Sequence, residues 1–374
     1  MSRTYQICIR CIMDTSDPEI LFDGQGVCNH CTGAIERMRN QLLPNEERRR
    51  ALEMLVDRIK IEGRGKEYDC IIGVSGGVDS TTTAYWVKKL GLRPLAVHFD
   101  NGWDSELAVD NIKKTLDVLG VELYTHVVDW EEFRDLQLSF LKASVPNCEI
   151  PTDHGITALL FRMASKERVR FILSGSNLVT EAIMPISWGH YNQDLKHLKA
   201  VHKRFGSKSL KTMPTISLPG YLTHVFMKRI RQIPFLNYLE YDKVKAKIML
   251  AEELGWRDYG GKHYESVWTR FFQGYYLPEK FGFDKRRAHW SSMICSGQVS
   301  REQALAEMEK PPYDAALLRE DKQFVLKKFG LTSDAFAAIL GAPPKQAQDY
   351  PNHRFLFHTL APLKNAFRRI ATFS

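Results

Sequence analysis

A glycine-rich hexapeptide is the segment whose residue types point most directly to chemistry. It reads Ser75-Gly76-Gly77-Val78-Asp79-Ser80 and follows an apolar run of strand length. Paired glycines let a backbone approach an anion, successive amide groups point inward, and the N-terminus of a following helix adds positive potential. The two serine hydroxyls complete this cradle, and Asp79 is placed to hold Mg²⁺ on a bound phosphate. The loop is neither a Walker A motif nor a Gly-x-Gly-x-x-Gly fingerprint, so it predicts a phosphate site of another kind.

Four cysteines near the N-terminus form two Cys-x-x-Cys pairs separated by sixteen residues: Cys8, Cys11, Cys28 and Cys31. This spacing is typical of zinc sites. Four thiolates leave no open coordination position, so the predicted role of the metal is structural. An iron–sulfur cluster is the alternative.

Two later regions carry further candidate ligands. A second glycine turn, Ser174-Gly175-Ser176, is expected at the carboxyl edge of a sheet, where open α/β folds bind ligands. It leads to Glu181, which is either a second Mg²⁺ ligand or an acid favoured by a helix dipole. Further on, Lys262, Arg286 and Arg287 lie beside glycines and aromatics. Such cations suit a phosphate or a nucleotide sugar, although each alone is equally typical of a surface.

The elements that must position these residues alternate between strand and helix. Strands are predicted at 68–74, 95–99, 122–128 and 171–174, with helices at 81–90, 111–119 and 156–168 between them. Such alternation predicts an α/β fold with a doubly wound parallel sheet. After about Met184 the pattern becomes mostly helical, with helices at 242–254, 301–308 and 333–340.

The chain is long enough for two or three domains, with 374 residues, 44% of them hydrophobic and 26% charged. We expect a zinc ribbon at 1–35, a helical linker at 36–65, the sheet domain at 66–240 and a helical substrate or partner region at 241–374. No segment approaches the length of a membrane span, so a cytoplasmic protein is expected. The net charge of +8 is compatible with nucleic acid, a phosphorylated small molecule or an acidic partner.

The hexapeptide after a strand resembles the PP-loop ATP pyrophosphatase superfamily, whose fold is adenine nucleotide alpha-hydrolase-like. The resemblance covers roughly residues 68–184. It implies that ATP is the cofactor, that residues 75–80 hold its pyrophosphate, and that Val97, Phe99, Asp100 and Gly175 line the rest of the nucleotide site. It also implies a reaction in which a carbonyl oxygen is adenylated and a nucleophile then displaces AMP.

The order of motifs along nearly the whole chain is similar to one family, the N-acetyl sugar amidotransferases of lipopolysaccharide O-antigen and other surface-glycan synthesis. The motifs are CIRCIMDTSDP at 8–18, GVCNHC at 26–31, the PP-loop, and 281–312 followed by Tyr313-Asp314. The resemblance implies an AMP- and pyrophosphate-forming carbon–nitrogen ligase that converts a sugar acetamido group to an acetamidino group. A UDP-linked 2,3-diacetamido uronic acid is the implied substrate, and a nonulosonic acid precursor is the alternative. Asp79, Glu181, Lys262 and Arg286 are the implied catalytic residues.

The resemblance also implies the ammonia source, a separate glutaminase with a barrel subunit resembling imidazole-glycerol-phosphate synthase. The chain has no N-terminal cysteine and no Gly-x-Cys-x-Gly elbow of its own. We expect neither a membrane nor a nucleic acid as a partner. The rival interpretation is a PP-loop enzyme that thiolates tRNA and needs a reactive cysteine. Cys70 falls in a predicted strand, which leaves Cys148 and Cys295 as candidates for that role.

Overall fold

Five short strands form one parallel sheet in the structure, a computed structural model that describes residues 4–261 and 264–359. The strands are β1 Cys70–Gly73, β2 Pro94–Asp100, β3 Glu122–Val127, β4 Phe171–Ser174 and β5 Arg231–Pro234. Their order across the sheet is β3-β2-β1-β4-β5, with every neighbouring pair parallel. The predicted doubly wound parallel sheet is therefore confirmed.

The side chains of the central strands alternate between two apolar layers, as the two-residue period of a strand requires. Cys70 and Ile72 pack in the layer on one face, whereas Ile71 packs in the layer on the other. The edge strand β3 differs, because most of its residues are exposed or only partly buried. This edge strand is therefore the least buried of the strands in this sheet.

Helices cover both faces of the sheet. Those up to β4 are α1 Asn29–Gln41, α2 Asn45–Glu62, α3 Val78–Lys89, α4 Glu106–Leu119, α5 Trp130–Lys142 and α6 Ile150–Lys166. The apolar layer under α2, α3 and α4 lies on one face, and α5 and α6 pack on the other. Helix α5 was not predicted, although Phe133, Leu136 and Phe140 give it a buried stripe at helical spacing.

The C-terminal half is mostly helical, as predicted. Its α-helices are α7 Leu178–Glu181, α8 Leu195–Phe205, α9 Leu218–Leu222, α10 Lys243–Leu254, α11 Val267–Phe271, α12 Leu277–Phe281, α13 Arg286–Cys295, α14 Arg301–Glu309, α15 Ala315–Phe329 and α16 Ser333–Gly341. Two π-helical turns, Thr223–Met227 and Phe272–Tyr276, interrupt this half. Within residues 4–261 and 264–359, no helix combines the length and apolar character needed to cross a bilayer. The predicted domain boundaries stay predictions.

Candidate functional site

The strand order creates a crevice at the carboxyl edge of the sheet, between β1 and β4. Chain connections leave these neighbouring strands in opposite directions across the sheet, and such switch points are where open α/β folds bind ligands. The hexapeptide follows β1, and the turn at Gly175 follows β4. A Cβ atom on Gly175 would lie 2.8 Å from the carbonyl carbon and oxygen of Asp79. Only glycine therefore allows the two loops to approach so closely.

The hexapeptide already has the shape of an anion cradle. Gly76 has a φ of +75°, and a Cβ atom there would lie 2.5 Å from the carbonyl oxygen of Ala108. The Ser75 amide donates to the Ser80 hydroxyl oxygen over 3.2 Å, and the Gly77 amide donates to the Ser75 hydroxyl oxygen over 3.3 Å. Helix α3 begins at Val78, directly after these turns. Its N-terminus supplies the positive end of a helix dipole to the crevice.

Three aromatic side chains from 241–259 contact this loop, and no sequence motif predicts these contacts. The Trp256 indole donates to the Gly76 carbonyl over 3.0 Å, and the Val78 amide donates to the Tyr259 hydroxyl oxygen over 3.1 Å. The Tyr241 hydroxyl donates to the Asp79 carboxylate. Burial raises the pKa of both tyrosines, with Asp79 adding to the effect on Tyr241. Both hydroxyls therefore stay neutral at physiological pH.

The two predicted Mg²⁺ ligands approach the same tyrosine. Asp79 lies in the first turn of α3, and Glu181 is the exposed last residue of α7. After burial and Asp79, the negative charge of Glu181 also contributes to the raised pKa of Tyr241. Both negative charges therefore act on the same hydroxyl group, that of Tyr241. The role of Asp79 and Glu181 as Mg²⁺ ligands stays a prediction.

The predicted nucleotide residues of β2 are placed differently. The side chains of Val97 and Phe99 are buried in the core, where Phe99 packs against Phe133. The Val97 carbonyl accepts a hydrogen bond from the Val74 amide over 3.0 Å, directly before the hexapeptide. Asp100 ends the strand and accepts the Gly102 amide over 2.8 Å. Contact between a nucleotide and Val97 or Phe99 would therefore have to come from the backbone.

Two of the three predicted basic residues, Arg286 and Arg287, are held by protein groups. The Arg286 guanidinium lies 2.7 Å from Asp284 and also donates to the Lys310 carbonyl over 3.1 Å. The Arg287 guanidinium lies 2.9 Å from buried Asp14 and donates to the Ile12 carbonyl over 3.0 Å. Lys262 lies outside the described residues. The structure thus gives Arg287 a partner near the N-terminal cysteines, and a substrate role for these three residues stays a prediction.

The four N-terminal cysteines form a compact, fully buried cluster. Each pair of their sulfur atoms lies within 4.8 Å; Cys8 and Cys31 are 3.8 Å apart, and Cys11 and Cys28 are 3.6 Å apart. Zinc–sulfur bonds of about 2.3 Å in a tetrahedron require sulfur atoms ~3.8 Å apart. The residues fit a structural zinc ion, which would be held entirely by thiolates.

The segment 4–31, here called the cysteine ribbon, is joined to the C-terminal helices by backbone hydrogen bonds. Arg301, at the start of α14, donates to the carbonyls of Cys8 and Cys11 over 3.0 Å each. The Ile12 amide donates to the Ser291 hydroxyl oxygen over 3.2 Å. These contacts connect the first residues of the chain with α13 and α14, almost 280 residues later.

The remaining three cysteines are not placed as reactive thiolates. Cys70 and Cys148 are fully buried, and burial raises the pKa of both thiols. Cys295 lies beside Cys31 of the ribbon, where its thiol faces the Cys31 carbonyl. None of the three adjoins the hexapeptide in the described contacts.

A buried acid that the sequence analysis did not single out lies at the N-terminus of α6. Because α6 leads back to the start of β4, its N-terminus lies at the carboxyl edge of the sheet. Burial, with the charge of Asp153, raises the pKa of Glu149 to about 7. Its carboxylate accepts the Thr269 hydroxyl over 2.8 Å. An acid in this position and with this pKa is typical of functional sites, and no sequence motif marks it.

Two protein families match different parts of the chain. The family described as LPS biosynthesis protein WbpG-like, C-terminal domain, matches residues 265–364. The family described as queuosine biosynthesis protein QueC matches residues 69–156, which include the hexapeptide and strands β1 to β3. QueC belongs to the PP-loop family, whose members use ATP. No curated protein matches.

Solved structures that resemble the chain include two from microorganisms. One is a predicted subunit of tRNA methyltransferase from Methanocaldococcus jannaschii, at 14% identity, 49% coverage of this chain, 76% of that chain and a TM-score of 0.28. The other is NMN synthetase from Francisella tularensis, at 15% identity, 57% coverage of this chain, 94% of that chain and a TM-score of 0.31.

The two family matches join a PP-loop sheet to a WbpG-like C-terminal region on one chain. This is the combination that the sequence motifs indicated. The chain is therefore similar to the WbpG-like proteins of lipopolysaccharide biosynthesis over residues 265–364 and to PP-loop proteins over residues 69–156.

Proposed function

We propose that this protein is an ATP-dependent amidotransferase that converts an N-acetyl group of a sugar into an acetamidino group. The observation that carries the proposal is the PP-loop at the switch point of the sheet, in a chain whose residues 265–364 match the WbpG-like C-terminal domain. In the proposed reaction, the amide oxygen attacks the α-phosphate of ATP and pyrophosphate leaves. Ammonia then adds to the imidate carbon, the added nitrogen loses a proton, and the carbon–oxygen bond to AMP breaks.

The residues of the crevice suit the first step. The amides at the start of α3 and the hydroxyls of Ser75 and Ser80 surround the position proposed for the pyrophosphate. Such preorganised donors stabilise charge on a leaving group. Asp79 and Glu181 would hold Mg²⁺, which neutralises charge on the departing pyrophosphate. We expect Mg²⁺ to compete with the Tyr241 hydroxyl for Asp79.

The positions of the cysteines favour nitrogen over sulfur as the incoming atom. Thiolation requires an accessible thiolate close to the activated carbonyl. Cys148, the strongest sequence candidate, is fully buried with a raised pKa, and Cys295 lies at the ribbon. We therefore propose that ammonia is supplied by a separate glutaminase with a barrel subunit. The proposed substrate is a UDP-linked 2,3-diacetamido uronic acid for O-antigen synthesis, with Lys262 and Arg286 as candidate ligands of its charged groups.

The direct test incubates the protein with ATP, Mg²⁺, ammonium and a UDP-diacetamido sugar. We expect sugar-dependent release of AMP and pyrophosphate, and a product in which one amide oxygen is replaced by NH. Asp79→Asn should abolish release while the variant stays folded. The absence of sugar-dependent pyrophosphate with UDP-diacetamido sugars and nonulosonic acid precursors would contradict the proposal. Incorporation of sulfur into tRNA that Cys148→Ser abolishes would instead establish the thiolation alternative.

A further inference from the structure

A cavity of about 250 Å³ lies beside the second half of α6, outside the crevice that holds the PP-loop. Its polar lining comes from three segments of the chain. Arg162 and Ser165 belong to α6, Thr215 to the connection before α9, and His224 and Lys228 to the π-helical turn and the residue after it. Every one of these side chains carries a hydrogen-bond donor, and none is a carboxylate.

The positive charge in this cavity is not neutralised by the described part of the protein. Neither Arg162 nor Lys228 pairs with a carboxylate in residues 4–261 and 264–359. The Lys228 ammonium donates to the Ser165 hydroxyl over 2.6 Å. Burial, with the charge of Lys228, lowers the pKa of His224, and burial, with the charge of Arg162, lowers the pKa of neighbouring His126. Arg162 and Lys228 are both exposed residues, and both line this one small space.

A histidine nitrogen in the same wall has no partner among the described residues. The Nδ1 atom of His224 is buried and forms no hydrogen bond there. Leaving a buried polar atom unsatisfied costs free energy. An anion that enters the cavity would contact the His224 side chain, which lines it together with the two cations.

The backbone that carries the basic residues is irregular. Thr223–Met227 is a π-helical turn, and Arg229, the residue after Lys228, has a φ of +55°. Turns of the π type often occur at functional sites, and a left-handed arginine stores strain. From this irregular segment the Lys228 ammonium reaches Ser165 on α6, so Lys228 and Arg162 line the same cavity.

The size of the cavity limits the ligand. Sites for drug-sized molecules usually measure ~300–1,000 Å³, so a space of about 250 Å³ suits a small charged group better than a whole nucleotide sugar. Guanidinium, ammonium and hydroxyl donors without acidic neighbours are the groups that bind phosphoryl oxygens. Gly155, seven residues before Arg162, packs on Phe99 near the end of β2. The cavity thus lies ~10 Å further along α6 from the carboxyl edge.

We propose that this cavity is a second phosphoryl-anion site, separate from the PP-loop, that binds a phosphate or diphosphate group through Arg162, Lys228 and His224. The site does not depend on the proposed amidotransferase reaction. The same chemistry is offered by a soluble diphosphate and by the head group of an anionic lipid, and the experiment separates these sources.

Binding of inorganic pyrophosphate is measured by calorimetry on the full chain at low salt, with the PP-loop saturated by α,β-methylene-ATP. The natural protein should bind pyrophosphate, and the double variant Arg162→Gln/Lys228→Gln should bind at least about tenfold more weakly, because two charge-assisted hydrogen bonds are lost. Lys166→Ala is the matched control, since it removes an exposed cation from the same helix outside the cavity. Thermal unfolding verifies that all the variants fold.

Equal affinity of the double variant and the natural protein would overturn the proposal. A second outcome is that the protein does not bind pyrophosphate but sediments with phosphatidylglycerol vesicles in an Arg162-dependent manner. This result would exclude a soluble diphosphate as the ligand and assign the cavity to a lipid head group. Neither result depends on turnover of a sugar. A failed amidotransferase assay with intact pyrophosphate binding would therefore count against the proposed function alone.

Discussion

The cysteine ribbon and the PP-loop are both held by the C-terminal half, but through different kinds of groups. On the ribbon, Arg287 contacts Asp14 and Arg301 contacts backbone carbonyls. None of these groups is proposed to bind a ligand in the crevice. On the PP-loop, Tyr241 and Tyr259 contact Asp79 and the Val78 amide, which are the groups proposed to bind metal and phosphate. The first set of contacts is compatible with a permanent scaffold. The second set must rearrange when ATP binds.

Loss of the metal cluster should have the largest effect on stability. Cys11→Ser removes one of four buried thiolates. Structural zinc sites contribute an apparent ~10–16 kcal/mol to small domains, so we expect loss of the metal and unfolding of the ribbon. Metal analysis and thermal denaturation, with and without a chelator, measure both effects.

Cys295→Ser is the matched control for this change, because Cys295 adjoins Cys31 but lies outside the group of four. It should retain the metal. A Cys11→Ser protein with full metal content and unchanged thermal stability would contradict the assignment of the cluster.

The next largest effect is expected at the PP-loop, from Gly76→Ala. The new methyl group would meet the Ala108 carbonyl at 2.5 Å, so the loop must deform. We expect at least a ~100-fold loss of ATP affinity, since the amides that surround the pyrophosphate would be misdirected. Gly120→Ala is the control, because Gly120 has a φ of +58° but open space around its Cβ position. It should cost ~1 kcal/mol of stability and leave ATP binding intact. Similar ATP affinities for the two variants would show that the loop shape is not required.

The third prediction separates Arg287 from Arg286. Arg287→Gln leaves the buried Asp14 carboxylate without its guanidinium, and breaking a buried pair costs ~3 kcal/mol or more. Arg286→Gln removes a more exposed pair with Asp284 and should cost ~1 kcal/mol or less. Urea unfolding measures the difference. If Arg287→Gln instead raises the KM for the sugar without loss of stability, Arg287 is a substrate ligand and not part of the ribbon contact.

The sequence predicted best those features whose geometry is local. The PP-loop and the paired cysteines are patterns within a few residues, and β4 was placed at 171–174, where the structure has it. The five-residue helical turn of α11 and the short strand β5 carry too little periodic signal to be found in this way. Helix α5 does have apolar residues at helical spacing, but it was not predicted.

Contacts between distant segments could not be predicted from the sequence. Tyr241 meets Asp79 across 162 residues, and Trp256 meets Gly76 across 180. Arg287 was interpreted from its neighbours as a substrate ligand, yet its partner Asp14 lies at the other end of the chain. Pairing of this kind depends on how the C-terminal helices pack, and no spacing within a segment encodes it.

The smallest expected effect tests whether the tyrosine contact at the PP-loop competes with the ligand. The Tyr241 hydroxyl donates to one oxygen of the Asp79 carboxylate, so we expect this hydroxyl and bound Mg²⁺ to compete for Asp79. Tyr241→Phe removes this hydrogen bond, whose net contribution to the free energy is ~0.5–1.5 kcal/mol. The variant should therefore bind Mg²⁺ and α,β-methylene-ATP about threefold more tightly. Tyr85→Phe, on the same helix α3, should leave the affinity unchanged. Calorimetry decides between two roles, because weaker binding by Tyr241→Phe would mean that the hydroxyl orients Asp79 for the metal. In that case the contact would persist when ATP binds, and the contrast between the permanent ribbon contacts and the rearranging PP-loop contacts would not hold at this residue.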